Sequence, residues 1–237
     1  MKSDAKWIAP ILGLVAACLS GNGCATTKQA RSVTPQKGEA SVVGDDVALL
    51  QESKDDQPLL IYETSSANWS GYSKVIIMPV KFAKPEGASA SDLEDLQALT
   101  DRMHAALVHE LGQVLEVVTE PGPGALRVET SLYDAQKKQT AGNLISGVLP
   151  VGFVVNGIVA AARGKSLFVG ELSEEMKITD AMSGELIAEA VDRRVGRKYQ
   201  SAEFTTWGEA YDAIGYWAKR AHSAICKRKG MTECPRE

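Results

Sequence analysis

The sequence predicts an α+β fold: a mixed or mostly antiparallel sheet of about five strands with two amphipathic helices packed on it, preceded by a signal peptide and a flexible tether. Two long stretches carry apolar residues every three or four positions, which is the helical period. Several shorter stretches alternate apolar with polar residues, or form brief apolar runs between turn residues, as strands do. Hydrophobic residues make up 44% and charged residues 24% of the 237 positions, enough apolar side chains for one core.

The first element is a leader. Lys2 and Lys6 precede an uncharged run over 7–17, and small residues then surround Cys18 and Cys24. The run suits the core of a signal peptide and falls short of the roughly 20 apolar residues that a spanning helix needs. Val15-Ala16-Ala17-Cys18 has an aliphatic residue followed by small ones, as a lipoprotein leader does, so residues 1–17 are expected to be removed and Cys18 to be acylated. Cys24, preceded by Gly21-Asn22-Gly23, is the alternative. Cysteine is required because its thiolate is the nucleophile that takes the lipid group. Several palmitate-type chains make the attachment stable, each buried methylene contributing about 0.8 kcal/mol. Neither Leu19 nor Ala25 is the aspartate that retains a lipoprotein at the inner membrane, so the periplasmic side of the outer membrane is the expected location. Membrane lipid, reached through the acylated cysteine, is the first expected partner.

Residues 18–57 are rich in Thr, Ser, Gln, Lys, Asp and Glu and have no sustained period, which reads as a flexible tether with a short ordered piece over 42–50. The α+β domain is expected over 58–237. Pro58-Leu-Leu-Ile-Tyr62 and Lys74-Val-Ile-Ile-Met-Pro-Val-Lys-Phe82 read as strands, with Pro79 at an edge or beside a bulge because it cannot donate to a ladder. Ser91-Asp-Leu-Glu94 has the form of a capping box. Behind it Leu93, Leu96, Leu99, Met103, Leu107 and Leu111 form one stripe that ends at Gly112, so a helix with one buried face is expected. Residues 114–119 and 126–132 follow as strands around the Pro121-Gly-Pro-Gly124 turn. Residues 167–180 and 185–199 form a hairpin around Ala-Met-Ser-Gly184. A second helix runs from Thr206 to about Lys229 with Phe204, Trp207, Tyr211, Ile214, Ala218, Ala221 and Ile225 on one stripe.

The formal net charge of −4 excludes a strongly basic nucleic-acid binder, and no nucleic acid is expected as a partner. His109-Glu110 opens like a zinc-protease helix, but Gln113 stands where the second histidine must be. His104 and His109 lie five apart, roughly 140° around a helix, and do not converge on one metal. Gly164-Lys-Ser166 lacks the upstream glycine of a phosphate loop, since Val159 occupies that position, and Gly122-x-Gly124 lacks the third glycine of a dinucleotide fingerprint. Glu174, Glu175, Asp180 and Asp192 read as solvated strand faces. The expectations are therefore no catalytic residues, no metal and no cofactor. Cys226 and Cys234 are expected to pair in an oxidising compartment and to pin the tail to the last helix.

Four stretches carry a family likeness: Tyr72-Ser-Lys-Val-Ile-Ile-Met-Pro-Val80, Glu120-Pro-Gly-Pro-Gly-Ala-Leu-Arg127, Ser183-Gly-Glu-Leu-Ile-Ala-Glu-Ala-Val-Asp-Arg-Arg194 and Trp207-Gly-Glu-Ala-Tyr-Asp-Ala-Ile-Gly-Tyr-Trp-Ala-Lys-Arg220. In these the chain resembles the bacterial lipoprotein family of domain of unknown function 3313. The resemblance implies an envelope lipoprotein with an α+β body, and it brings no established activity or catalytic residues. The doubled cysteine of the leader departs from the usual single one.

Residues 142–162 contain no charge over 21 positions and carry glycines at 142, 147, 152 and 157. The glycines, Pro150, Asn143 and Asn156 oppose insertion into lipid. The expected reading is an apolar insertion folded on the body, with Leu149, Val151, Phe153 and Val155 as contacts to a partner or membrane. The function expected is a non-enzymatic binding or assembly accessory for an unknown envelope protein. Alternatives are an oligomeric export or assembly component that self-associates through 142–162, and an envelope hydrolase built on an unrecognised constellation.

Overall fold

The computed structural model describes residues 27–54, 57–82, 90–136, 171–196 and 207–235. The leader, Cys18, Cys24, the segment 142–162 with Leu149, Val151, Phe153 and Val155, the Gly164-Lys-Ser166 loop, and Phe204 and Thr206 lie outside the described residues.

The fold is the α+β architecture that the sequence predicts, with a larger sheet. Its strands are β1 (Thr27–Gln29), β2 (Gln51–Glu52), β3 (Leu60–Glu63), β4 (Lys74–Ile77), β5 (Lys81–Phe82), β6 (Glu116–Val117), β7 (Ala125–Gln136), β8 (Glu171–Asp180) and β9 (Leu186–Gly196). They form one open mixed sheet in the order β2-β3-β9-β8-β7-β4-β6, with β1 also on β9 and β5 also on β7. The β7-β8-β9 meander and the strands on its β9 side are antiparallel, and β4, β5 and β6 are parallel to their neighbours. β4 and β5 are one strand interrupted at 78–80. Met78 N–H still reaches the Val128 carbonyl at 2.9 Å, and Pro79, which has no N–H to give, falls in the break.

Among the described residues, two helices cover one face. α1 (Ala90–Leu111) buries Leu96, Leu99, Met103, Leu107 and Leu111, the expected stripe without Leu93, which is 38% exposed. Each fully buried Leu or Met contributes about 1.5–3 kcal/mol. The helix already includes Ala90, so Ser91 lies inside its first turn rather than at its cap. α2 (Gly208–Arg228) buries Trp207 at its start, then Ile214, Trp217, Ala218 and Ile225. Gly124, at φ +71°, turns the chain into β7 beside the Gly71 carbonyl, 2.9 Å from where a Cβ would sit, so only glycine fits there. Cys226 and Cys234 form the expected disulfide, with Cα atoms 5.7 Å apart, and tie the tail back to α2.

The tether reading fails for residues 27–54, which form an arm packed on the sheet. β1 pairs with β9 in the register Thr27↔Gly196 and Gln29↔Arg194, and residues Gly44–Leu49 form a short 3₁₀ helix where an ordered piece was expected. The physical reason is Glu175. Its carboxylate, fully buried on the face of β8 away from the helices, accepts from Gln36 N–H at 2.6 Å, Ser41 Oγ at 2.8 Å, Val42 N–H at 3.1 Å and Ser131 Oγ at 3.2 Å. Tyr133 donates to the Thr34 carbonyl at 3.0 Å, and Lys177 pairs with Asp46 of the arm and, at 3.3 Å, with Glu189. Val43 packs with Tyr133 and Val191 beneath. Hydrogen bonds to a buried charge, with few apolar anchors, hold this arm down.

Glu175→Leu is expected to lower stability by about 2–4 kcal/mol, because four donors lose their acceptor. Trypsin should then cut at Arg31 or Lys37 about tenfold faster, in keeping with local release of the arm. Chemical denaturation with timed proteolysis and mass spectrometry measures both effects. Unchanged cleavage would show that Glu175 does not hold the arm.

Candidate functional site

Beside α2, over β3, β8 and β9, the helix face of the sheet leaves a cavity of about 340 Å³. Its floor is Met176 and Ile178 of β8 with Ala188 and Ala190 of β9. Its walls are Ile61, Trp69, Trp217, Ala221, Ala224 and Ile225, and the ionisable residues that line it are Glu174, Glu189, Asp192, Arg220, Lys227 and Arg228. The cavity exists because four lining positions are alanines: larger residues at 188, 190, 221 and 224 would close the space between helix and sheet.

Alternation places the acids. Along β8, Leu172, Glu174, Met176 and Ile178 share the helix face, so Glu174 occupies a position whose neighbours are all core residues. Across the ladder it stands opposite Asp192 of β9. Glu174 is 5% and Asp192 2% exposed. The expectation that these carboxylates decorate solvated strand faces is therefore wrong. The physical reason is parity: Leu172, Met176 and Ile178, two and four positions away, share the face of Glu174 and belong to the core.

The two acids differ in their partners. Asp192 lies where the outer neighbour of β9 changes from β3 to β1. Its Oδ2 accepts from Trp217 Nε1 at 2.8 Å, and its Oδ1 from Gln29 Nε2 at 2.7 Å and Leu59 N–H at 3.4 Å. These donors satisfy a buried negative charge and tie arm, edge strand and α2 to one side chain. Glu174, by contrast, has a buried Oε1 with no hydrogen-bond partner. Burial, and then the negative Asp192, push its carboxyl well above the ordinary range, with Arg220 opposing them. Burial thus favours the protonated, neutral form of Glu174 at the enclosed end of the cavity.

Cations frame the site. The Arg194 guanidinium lies 3.5 Å above the Tyr216 ring and bonds Thr27 Oγ1 at 2.9 Å and its carbonyl at 3.0 Å. Arg220 donates to Tyr216 Oη at 2.6 Å. At the far end Arg228 forks onto Glu63, which also accepts from Trp69 Nε1 at 2.9 Å, and this pairing outweighs burial to hold Glu63 below its ordinary pKa.

The other residues singled out from the sequence do not assemble. His104 faces the Met78 carbonyl at 3.3 Å, and the His109 side chain is 75% exposed. Glu110 instead meets His222 of α2, with Oε2 3.0 Å from Nδ1, a contact between helices that no local motif announces. Among the described residues no group of three or more His, Cys, Asp or Glu is placed to hold a metal, and no helix is long and apolar enough to cross a membrane.

The model of the family described as protein of unknown function, DUF3313, matches residues 39–221. The chain belongs to this family. The match begins inside the arm and ends within α2, so the DUF3313 unit contains Glu174, Glu175, Asp192, Trp217 and Arg220. No curated protein matches the sequence. Among solved structures, the chain is similar to the PelC dodecamer from Paraburkholderia phytofirmans, at 9% identity over 73% of this chain and 98% of that one, with a TM-score of 0.39. It is also similar to lipoprotein GNA1162 from Neisseria meningitidis, at 8% identity over 65% and 99% of the two chains, TM-score 0.34. A DUF4136 family protein from Bacteroides thetaiotaomicron matches at 12% identity over 71% and 98%, TM-score 0.32. At such scores none of the three bears on the site.

The buried acids set a pH dependence. Burial pushes Glu189 up to about 7 against the opposing pull of Lys177, and Glu174 is raised as well. A carboxyl raised in the folded state keeps its proton where the unfolded chain, titrating near 4.3, has lost it, so its stabilising effect falls as pH rises through that window. Glu63 and Asp180 are lowered and act the other way, below about pH 4. The melting temperature is expected to drop by roughly 3–8 °C between pH 5 and pH 8. Glu174→Gln and Glu189→Gln should each flatten the slope in differential scanning fluorimetry. A slope unchanged in both variants would assign it to other groups.

Proposed function

We propose that this protein is a lipid-anchored lipoprotein of the bacterial envelope, acylated on Cys18 with Cys24 as the alternative, on the periplasmic side of the outer membrane. Its body acts without catalysis, as a binding or assembly accessory for an envelope protein. The leader supports export, and the Cys226–Cys234 disulfide suits an oxidising compartment. The non-enzymatic reading is supported by Asp192, which spends both oxygens on Trp217, Gln29 and Leu59 and so acts as a structural tie rather than one half of a hydrolytic carboxyl pair.

The observation that carries the proposal is the position of the arm. Because Thr27 already belongs to the sheet, only the residues between it and the acylated cysteine are left to span the distance to the membrane. From Cys18 that span is at most about 30 Å, and from Cys24 about 10 Å. The body is held within that distance of the bilayer, as a component that docks at the membrane surface requires.

The same row of the sheet favours a second reading. Lys28 pairs with Val195, Val195 with Glu171 and Glu171 with Gln136, so the residues that flank 137–170 leave the body at the end where the anchor enters. The apolar stretch 142–162 is thus tethered at the end that faces lipid, where contact with the membrane or with a second copy of the chain is available.

Cell fractionation tests the anchor. Cys18→Ala is expected to move most of the protein to the soluble periplasmic fraction, and Cys18→Ala with Cys24→Ala to move all of it. A double variant that stays in the membrane fraction would remove the lipid anchor from the proposal. For the second reading, Val151→Asp with Val155→Asp in the non-acylated chain should abolish residual vesicle binding and any oligomer seen by light scattering. A non-acylated chain that is monomeric and vesicle-free before the substitutions would exclude it.

A further inference from the structure

We propose that the cavity beside α2 is a binding site for a small uncharged amphiphile, an alkyl or acyl body carrying one amide, ester or hydroxyl group, with its polar group on Glu174. This inference goes beyond the anchoring proposal and does not depend on where the chain is attached.

Three observations carry it. The cavity, at about 340 Å³, is lined mainly by carbon: Ile61, Met176, Ile178, Trp69, Trp217 and the alanines. That is the size and character of a small-molecule site. Glu189 also lines the cavity and both its oxygens lack a hydrogen bond, but its side chain alternates to the opposite face of β9, where Lys177 lies 3.3 Å away. On the helix face the unspent capacity is the Oε1 of Glu174, on a side chain only 5% exposed, and an orphaned buried polar atom is costly unless something occupies the site that can pair with it. Charges of both signs line the cavity, so an ion of either sign meets a like charge. A cation entering it meets Arg220, Lys227 and Arg228, the last already paired with Glu63, and an anion meets the Asp192 carboxylate.

An uncharged group meets neither penalty. In its protonated form, which burial favours, Glu174 donates its O–H to a carbonyl or hydroxyl oxygen of the ligand, and its Oε1 accepts from an amide or hydroxyl hydrogen. From Glu174 to Ile178 the floor runs four residues along β8, about 13 Å, which matches an extended chain of roughly eight carbons. The Trp217 ring is locked by its bond to Asp192, so the wall next to the polar end is preformed.

Isothermal titration calorimetry of the full chain carrying Cys18→Ala and Cys24→Ala, without detergent, tests this with four probes: octanamide, octan-1-ol, octylammonium and octanoate. Octanamide and octan-1-ol are expected to bind saturably at one site per chain, and octylammonium and octanoate at least tenfold more weakly. Glu174→Gln, which keeps a donor and an acceptor, should bind octanamide within about threefold of the parent, whereas Glu174→Leu should lose at least tenfold. Ala224→Phe, which fills the wall, should abolish binding with an unchanged circular dichroism melt, and it reads the cavity independently if Glu174→Leu does not fold. Octanamide affinity should also decline as pH rises and Glu174 ionises. Octylammonium binding as tightly as octanamide, full affinity in Glu174→Leu or in Ala224→Phe, or no saturable binding by any probe would each overturn the proposal.

Discussion

Burial of β8 on both faces is the constraint from which the rest of the structure follows. Helices cover one side of this central strand and the N-terminal arm covers the other, so the adjacent residues Glu174 and Glu175 are both withdrawn from water, in opposite directions. Removing a carboxylate from water costs several kcal/mol unless hydrogen bonds replace the lost hydration. Glu175 meets that condition with four donors, three of them from the arm, and Glu174 keeps an oxygen with none. One acid therefore ties the arm to the sheet, and its neighbour carries an unpartnered oxygen beside a cavity.

The two faces are linked through Asp192. Gln29 of the arm, Leu59 of the edge and Trp217 of α2 all donate to this one carboxylate, so the arm, the outer strands and the helix share a single tie. Arg194, stacked on Tyr216 of α2 and bonded to Thr27, adds a second. Asp192 and Trp217 also line the cavity, so the carboxylate that Gln29 of the arm binds is part of the cavity wall.

Energetically the cavity is where packing was given up. The α1 side of the sheet is filled by Leu99, Met103, Leu107 and Leu111, whereas the α2 side offers alanines at 188, 190, 221 and 224 against two tryptophans. Filling such a gap with larger aliphatic residues would gain dispersion and transfer energy. Small residues that border a buried, unpaired acid are what a site requires and what an optimised core would not keep.

By itself the sequence determined the two helical stripes, the β8–β9 hairpin and the pairing of Cys226 with Cys234, because each of these is local: a period, a turn, or two thiols eight residues apart. It also contained the position of Glu174, for Leu172, Met176 and Ile178 fix the parity of that strand and place the acid among core residues. Only the tertiary structure decided the role of residues 27–54. Their polar composition matches that of a tether, and the charge that binds them, Glu175, lies more than 130 residues later on a face whose own residues are polar. The same holds for the cavity: no local pattern brings Ile61, Asp192 and Trp217 together, and only the packing of α2 against β3, β8 and β9 does so.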